Sequence, residues 1–178
     1  MLMHRLVEKL REEREKTKGH STLPSNELLS DPIEKASFLG FGEGSYVFDT
    51  CIIIGQVTAG KSVTIGPFTM LDGSGGGLTI GEGSEISVGT QIYTHDTLRH
   101  AITEGKEPTA YSPTSIGKHC YVGPHCVISK GVSLGDNCVV EASSLVSVSF
   151  PANTIIGGIP AKRIGTVELG KEVKLHYD

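Results

Sequence analysis

A six-residue period runs through most of the chain and restricts its fold more than any other feature. Aliphatic residues head successive hexads, and the residue after the head is glycine in seven of fifteen hexads. An amphipathic helix would repeat every ~3.6 residues and an alternating strand every ~2 residues, so neither explains the pattern. A period of this kind is typical of a solenoid, in which each repeat buries its apolar face against its neighbours. The heads are Phe41, Val47, Ile53, Ala59, Ile65, Leu71, Ile80, Ile86, Ile92, Ile116, Val122, Ile128, Leu134, Val140 and Val146.

Three hexads make one triangular coil of 18 residues, in which each hexad supplies a short strand and a corner. Stacked coils would lie about 4.8 Å apart, as neighbouring strands do. The sequence therefore predicts an all-β solenoid, a parallel β-helix, over residues 41–165. Its coils number about five and begin at Phe41, Ala59, Ile80, Ile116 and Leu134.

The cysteines support this register, because all four fall at the fifth position of a hexad: Cys51, Cys120, Cys126 and Cys138. Most other fifth positions hold serine, threonine or valine, so this column is expected to hold small, inward-facing side chains. The chain has no CxxC motif, and a zinc site is not expected. Cys120 and Cys138 stand one coil apart, which suits a disulfide in geometry, although a reducing compartment disfavours one.

The two ends of the chain lack the hexad pattern. Residues 1–40 are predicted to form a helical N-terminal arm, because Met3, Leu6, Val7 and Leu10 follow helical spacing and Ser25 could cap a second short helix. These helices are expected to cover the exposed strand edges of the first coil. Residues 166–178 are predicted to be a C-terminal tail.

Charge and hydropathy exclude several classes of protein. The net charge is −4 and the isoelectric point is about 6.0, which argues against nucleic acid as a partner. No apolar run is long enough for a signal peptide or a membrane span. A cytoplasmic protein is therefore expected.

Two insertions interrupt the repeat at one corner of the prism. The first, DGSGGGLT at residues 72–79, follows Leu71, and the second, residues 95–115, follows Ile92. Both heads begin the third hexad of their coils, so both insertions should leave the prism at the same corner, one coil apart. Loops that depart from a rigid repeat commonly carry function.

The insertions concentrate titratable residues at this corner. Histidine titrates near neutral pH, and a carboxylate can orient it, so the mixture suits proton transfer. Structural roles stay open for several members: Asp96 could hydrogen-bond the corner from an inward position, and Arg99 and His100 could simply be solvated. The candidates are Asp72, Ser74, His95, Asp96, Arg99 and His100.

Three segments resemble the hexapeptide-repeat acyltransferases of the sugar O- and N-acetyltransferase kind. They are IYTHD, SPTSIGKHCYVGPHCVISKGVSLGDNCVVEASSLV and FPANTIIGGIPAKRIG, within a resemblance that covers about residues 40–165. Members include maltose and galactoside acetyltransferases and enzymes of surface-polysaccharide, lipopolysaccharide and nucleotide-sugar biosynthesis. The resemblance implies a left-handed β-helix, a homotrimer with sites between subunits, acetyl-CoA as co-substrate, a sugar or nucleotide-sugar acceptor, and no metal.

The resemblance also implies roles for individual residues. His95 matches the general base, and Asp72 lies where relatives bind the acceptor, or it pairs with His95. Ser74, Asp96, Arg99 and Tyr111 are expected around the acceptor. The residues expected to bind acetyl-CoA are Gly123, Ala142 and Ser147 along the pantetheine and Lys162 and Arg163 at the phosphates and adenine. Lys130 does not come from the resemblance: it is added because it lies outward at the corner above the loop, where its charge would attract the phosphates.

Two departures and two alternatives accompany this interpretation. Tyr121 stands where relatives have tryptophan, and Pro124 has no N–H, so the donor to the oxyanion is unassigned. One alternative is a metal enzyme similar to the γ-type carbonic anhydrases, suggested by His119 and His125, and the other is a non-catalytic assembly module. The acceptor, the choice between O- and N-acetylation, and the length of the acyl chain are left open.

Overall fold

The computed structural model describes residues 2–18 and 23–178, and its centre is a triangular prism of parallel strands. We name the three sides face 1, face 2 and face 3, in the order in which the chain passes through them. Face 1 contains β1 (Tyr46–Val47), β3 (Thr64–Ile65), β5 (Glu85–Ile86), β10 (Tyr121–Val122), β13 (Val139–Val140) and β15 (Thr154–Gly158).

The other two faces share their longest strands, which bend around one corner. Face 2 contains the first halves of β2 (Ile52–Ala59) and β4 (Met70–Ile80), followed by β6 (Gln91–Ile92), β11 (Val127–Ile128) and β14 (Leu145–Val146). Face 3 contains the second halves of β2 and β4, then β9 (Thr114–Ile116), β12 (Ser133–Leu134) and a bridge from Leu134 to Phe150.

The core confirms the predicted register. The hexad heads stack inside the prism, and those at 47, 65, 71, 86, 92, 122, 128, 140 and 146 are 0% exposed. The fifth positions also point inward, and the three cysteines at 120, 126 and 138 are buried with free thiols. Each coil therefore contributes a layer of small and aliphatic side chains that only the adjacent coils cover.

Among the described residues, face 1 contains six stacked parallel strands, one more than the five coils predicted. The extra level is β15, whose inward residues Ile155 and Ile156 are 0% exposed. The chain then reverses: β16 (Ala161–Glu168) pairs antiparallel with β15, and β17 (Lys174–Tyr177) pairs antiparallel with β16. The predicted boundary between domain and tail at residue 165 thus lies within β16.

Residues 72–79 were expected to leave the prism as a loop, and this expectation is wrong. They continue β4 and pair with β2, with Ile54 opposite Asp72 and Val57 opposite Leu78. The register shifts between Gly55, which faces Gly73, and Val57, so the additional residues are absorbed in a bulge. The bulge places the glycine-rich segment at the corner between face 2 and face 3.

The second insertion does leave the prism at that corner. It forms a hairpin of β7 (His95–Asp96) and β8 (Ala110–Tyr111), with α4 (Leu98–Ile102) between the two strands. The chain re-enters the prism at Thr114, which pairs with Leu78 of β4.

The arm contains α1 (Leu2–Lys18), α2 (Ser25–Leu29) and α3 (Pro32–Phe38). Ser25 does not cap α2: the cap position is Pro24, without a side-chain hydrogen bond, and Ser25 is the first helical residue.

The arm covers the first coil only in part. Helix α3 packs on β1, whereas α1 packs on α2. Met3 and Leu6 are 63% and 44% exposed, and only Val7 of the predicted apolar stripe on α1 is buried. None of the helices in the described ranges combines the length and hydropathy that crossing a membrane requires.

Candidate active site

A cleft of about 600 Å³ opens at the corner where both insertions lie. Its floor follows the stack of coils, because Tyr93 N donates to Ile128 O and Ser129 N donates to Val146 O, which places residues 93, 129 and 147 at successive levels. The hairpin supplies the wall. The lining residues are Tyr93, His95, Asp96, Thr97, Leu98, Ser129, Lys130 and Ser147.

His95 and Asp72 form a close hydrogen-bonded pair at the rim of this cleft. Nδ1 of His95 lies 2.7 Å from Oδ2 of Asp72, and the two side chains are 31% and 2% exposed. A carboxylate only accepts hydrogen bonds, so Nδ1 carries the proton in this contact. Nε2 is therefore left as the ring nitrogen that can accept a proton.

Ser74 completes the surroundings of the carboxylate. Its backbone N–H and its hydroxyl both donate to Oδ1 of Asp72, at 2.8 Å and 2.6 Å, and its Oγ lies 3.3 Å from Nδ1 of His95. Burial would raise the pKa of Asp72, but the hydrogen bonds from Ser74 and the charge of His95 outweigh it, and the pKa lies below 3.8. Asp72 therefore presents a stable negative charge to His95 at neutral pH.

Asp96 and Lys130 form an ion pair in the lining of the cleft. Nζ of Lys130 lies 2.9 Å from Oδ2 of Asp96, and the backbone N–H of Leu98 donates to Oδ1 at 3.1 Å. The lysine contact and the hydrogen bond from Leu98 hold the pKa of Asp96 below its usual value. Asp96 does not point inward as its hexad position suggested, because the hairpin carries it out of the prism to face Lys130.

The remaining loop candidates lie farther out. Arg99 forms an exposed ion pair with Glu107 at 3.5 Å, and Nδ1 of His100 lies 3.0 Å from Glu107 O, so both side chains tie the loop to itself. Neither residue lines the cleft. Tyr111 is 65% exposed, and its ring centre lies 6.2 Å from that of His95.

The repeat matches proteins of known type. Residues 113–146 match the profile of the hexapeptide repeat of succinyl-transferase. Galactoside O-acetyltransferase of Escherichia coli K12 is 32% identical over 88 residues, which are 49% of this chain and 43% of that protein.

The crystal structure of AntD, an N-acyltransferase from Bacillus cereus, in complex with dTDP and 3-hydroxybutyryl-CoA, superimposes with a TM-score of 0.64. It is 26% identical, and the match covers 71% of this chain and 71% of AntD. Over these regions the chain is similar to hexapeptide-repeat acyltransferases.

A third relative extends the likeness of fold to nearly the whole chain. The match to the hexapeptide-repeat acetyltransferase VCA0836 of Vibrio cholerae covers 93% of this chain and 90% of that one, with a TM-score of 0.58 and 22% identity. The predicted left-handed parallel β-helix is thereby confirmed. By contrast, the chain spans less than half the length of galactoside O-acetyltransferase.

The residues that the hexapeptide-repeat resemblance assigns to acetyl-CoA do not all lie together in one copy. Ser147 lines the cleft with His95. Gly123 and Ala142 stack on each other at the corner between face 1 and face 2, across face 2 from His95. Lys162 and Arg163 lie on β16 beyond the last coil, where Arg163 contacts Asp178 at 3.2 Å.

His119 and His125, the two histidines that suggested a metal enzyme, lie at different corners of the prism. His119 follows face 3 and His125 follows face 1, so they occupy different corners. Each packs its ring over a glycine of the coil below: a Cβ on Gly83 or Gly89 would overlap the imidazole above it. In the part of the chain that the structure describes, no group of three His, Cys, Asp or Glu side chains is arranged to hold a metal ion.

The structure adds cleft residues that were not among the sequence candidates. Tyr93 and Ser129 lie one position after the hexad heads Ile92 and Ile128, so the hexad count alone could have placed them beside Ser147. Thr97 and Leu98 carry no such signal, since the hairpin and α4 determine their position.

Proposed function

We propose that the protein transfers an acetyl group from acetyl-CoA to a hydroxyl or amine of a sugar or nucleotide-linked sugar, with His95 as the general base. The observation that carries this proposal is the contact between His95 and Asp72 at the rim of an open cleft. A histidine whose Nδ1 is held by a carboxylate and whose Nε2 is unoccupied is the arrangement that proton abstraction requires.

The reaction follows from this arrangement. Nε2 of His95 takes the proton of the acceptor hydroxyl or amine while the acceptor oxygen or nitrogen attacks the thioester carbonyl. The negative charge of Asp72 stabilises the imidazolium that forms. The tetrahedral intermediate then expels the thiolate of coenzyme A, which takes the proton from Nε2, so that the products are the acetylated acceptor and free coenzyme A.

The choice of acceptor rests on the relatives. A mutant of AntD was crystallised with dTDP-4-amino-4,6-dideoxyglucose and coenzyme A, and another relative is named galactoside O-acetyltransferase. A cleft lined by hydroxyl side chains and one ion pair suits a polyhydroxylated acceptor. We place the reaction in the synthesis of polysaccharide or lipopolysaccharide precursors in the cytoplasm, where acetyl-CoA and nucleotide sugars are found.

We further propose that three copies assemble around face 2. The outward residues of this face are mostly apolar, namely Ile52, Met70, Gln91, Val127 and Leu145. The outward residues of face 3 are all hydroxylic, namely Thr58, Thr79, Ser115 and Ser133. Apolar surface gains most from being covered, so face 2 is the better interface.

Such an assembly would complete the site. The His95 cleft lies at one edge of face 2, and the corner of Gly123 and Ala142 lies at the other. A threefold axis in front of face 2 brings one edge of each copy to the opposite edge of the next and keeps every coil at the same height. Acetyl-CoA would then bind between His95 and Ser147 of one copy and Gly123 and Ala142 of its neighbour, with Lys162 and Arg163 toward its phosphates.

The decisive experiment measures thiol release from acetyl-CoA over a panel of amino and hydroxy sugars, free and nucleotide-linked. Wild type should turn over one class of acceptor, and His95→Ala should reduce kcat by ~100-fold or more, as loss of a general base does. His100→Ala is the matched control, since this histidine lies in the same loop but outside the cleft.

Loss of turnover in both histidine variants would assign the effect to the loop and not to the base. If no acceptor releases thiol and coenzyme A does not bind, the transferase proposal is wrong and a role in assembly takes its place.

A further inference from the structure

Thr94, the residue immediately before His95, connects the two insertions that form the site. It is 0% exposed. Its hydroxyl donates to the backbone carbonyl of Asp72 at 2.8 Å and accepts from the backbone N–H of Gly75 at 2.7 Å. The Thr94 side chain thus bonds to the backbone before and after Ser74, in the segment that contains Asp72, the partner of His95.

The backbone of Thr94 makes a third connection. Its carbonyl oxygen accepts a hydrogen bond from the N–H of Ser112, at the end of the hairpin, at 2.9 Å. The same carbonyl lies against Gly75, where a Cβ would overlap it. Thr94 therefore fixes three segments relative to one another: the bulge of β4, the strand that begins the hairpin, and the strand that ends it.

We propose that Thr94 is a positioning residue, whose hydroxyl holds Asp72 against Nδ1 of His95. The two members of this pair come from separate strands, β4 and β7. The Asp72 carbonyl and the Gly75 N–H lie on either side of Ser74, and both bond to the residue next to His95. Without the hydroxyl, two buried backbone groups lose their partner, and the bulge must shift or admit water.

The catalytic part of this proposal rests on the proposed function, but its geometric part does not. The pairing with Asp72 keeps the proton of neutral His95 on Nδ1. When the bulge shifts, this preference weakens, and the tautomer with the proton on Nε2 gains population. The nitrogen shifts of a ¹⁵N-labelled histidine ring report this ratio without any substrate.

The test compares Thr94→Val, which replaces the hydroxyl with a methyl group, with Thr94→Ser, which keeps the hydroxyl. Thr90→Val is the matched control: Thr90 is also 0% exposed, and its hydroxyl donates to Gly123 O at 2.9 Å and accepts from Cys126 N at 3.4 Å, away from the insertions. The His95 ring signals are assigned by comparison with His95→Ala, and all variants are checked for folding by thermal unfolding.

We expect Thr94→Val to raise the Nε2–H fraction of His95 and to reduce kcat by ~10- to 100-fold, with the KM for acetyl-CoA changed less than ~2-fold, because misplacement affects the chemical step. Thr94→Ser should restore both properties, and Thr90→Val should leave the tautomer ratio of His95 unchanged. A tautomer change in Thr94→Val without turnover in wild type would support the positioning role and contradict the proposed function.

Three outcomes would overturn the proposal. The first is a folded Thr94→Val with the tautomer ratio and kcat of wild type. The second is a Thr90→Val that changes His95 as strongly as Thr94→Val does. The third is a folded Thr94→Ser that loses the Nδ1–H tautomer, and this result remains decisive even if Thr94→Val does not fold.

Discussion

Asp72 shows how a buried charge is kept ionised at this corner. Its side chain is almost inaccessible, yet both carboxylate oxygens are engaged, Oδ1 by Ser74 and Oδ2 by His95. Each of these contacts favours the ionised form, which explains why the pKa lies below 3.8 despite burial. The same contacts that orient His95 therefore also stabilise the fold.

This stabilisation should depend on pH in a defined direction. A carboxyl whose pKa is lowered by folding contributes its full stability above its unfolded value, near 3.8, and loses it as the pH falls through the lower folded value. At about pH 6 we expect Asp72→Asn to lower the free energy of unfolding by roughly 1.5–3 kcal/mol, the scale of hydrogen bonds to a charged group.

The difference between wild type and Asp72→Asn should narrow as the pH is lowered toward about 3. Urea unfolding at a series of pH values measures it, with Glu172→Gln, at an exposed position between β16 and β17, as the control. A difference that stays constant over this range would contradict the account of the Asp72 charge.

Individual residues were predictable from the sequence to the extent that the hexad count fixes them. Counting placed Asp72 and His95 at one corner, because each follows a head of the same column. It could not predict that Lys130 faces Asp96 or that Thr94 bridges the insertions, since these contacts depend on side-chain direction and on the path of the hairpin. The pairing of Asp72 with His95 stayed an alternative for the same reason.

At the scale of elements, the repeat shows where residues are inserted into the hexad pattern, but it does not predict the conformation of the inserted residues. The glycine-rich segment was predicted to be a loop, yet it lies in β4, because the neighbouring β2 continues around the corner and offers a partner to its backbone. The reversal of the chain into β16 and β17 has no hexad signal, since it begins where the period ends.

Glu27 of α2 joins the arm to the first corner of the prism, beside the contacts that α3 makes with β1. This carboxylate is only 4% exposed and accepts hydrogen bonds from Asp49 N at 3.0 Å, Thr50 N at 2.7 Å and Thr50 Oγ1 at 2.7 Å. It satisfies the N–H of Thr50, whose equivalents in later coils donate to the coil below, as Gly89 N does to Pro67 O. Glu27 therefore ends the stack at its N-terminal side.

Glu27→Ala should loosen α2 and destabilise the first corner of the prism. We expect the free energy of unfolding to fall by about 2–3 kcal/mol, because two backbone N–H groups and a hydroxyl lose a charged acceptor. Hydrogen exchange at Asp49 and Thr50 should accelerate, and these amides locate the change. Glu34→Ala, at an exposed position of α3, is the control. If the amides of Asp49 and Thr50 are equally protected from exchange in Glu27→Ala and in wild type, the arm is held elsewhere.

At the scale of the whole molecule, the position of each site residue is set by the coil in which it lies and by the edge of face 2 that it occupies. Stacking places Tyr93, Ser129 and Ser147 in one column at the edge of face 2, and the same stacking places Gly123 and Ala142 in a column at the opposite edge. A rigid prism of this kind cannot bend to bring its two edges together, so a ligand that needs both must bind between copies. Assembly and activity should therefore be lost together.

Substituting Val127 with lysine tests this link at the centre of face 2. Val127 points outward from β11 between Gln91 and Leu145, so a charge there would be buried in an assembly around face 2 and would disrupt it. Ser133→Lys, at the outward position of β12 on face 3, adds the same charge to a surface that we expect to stay in solvent.

Light scattering after size exclusion should give the mass of three chains for wild type and Ser133→Lys and of one chain for Val127→Lys. Thiol release should fall only in Val127→Lys, although His95, Asp72 and Thr94 remain in place. A Val127→Lys protein that stays trimeric, or a monomer that is fully active, would show that the cleft of a single copy is sufficient.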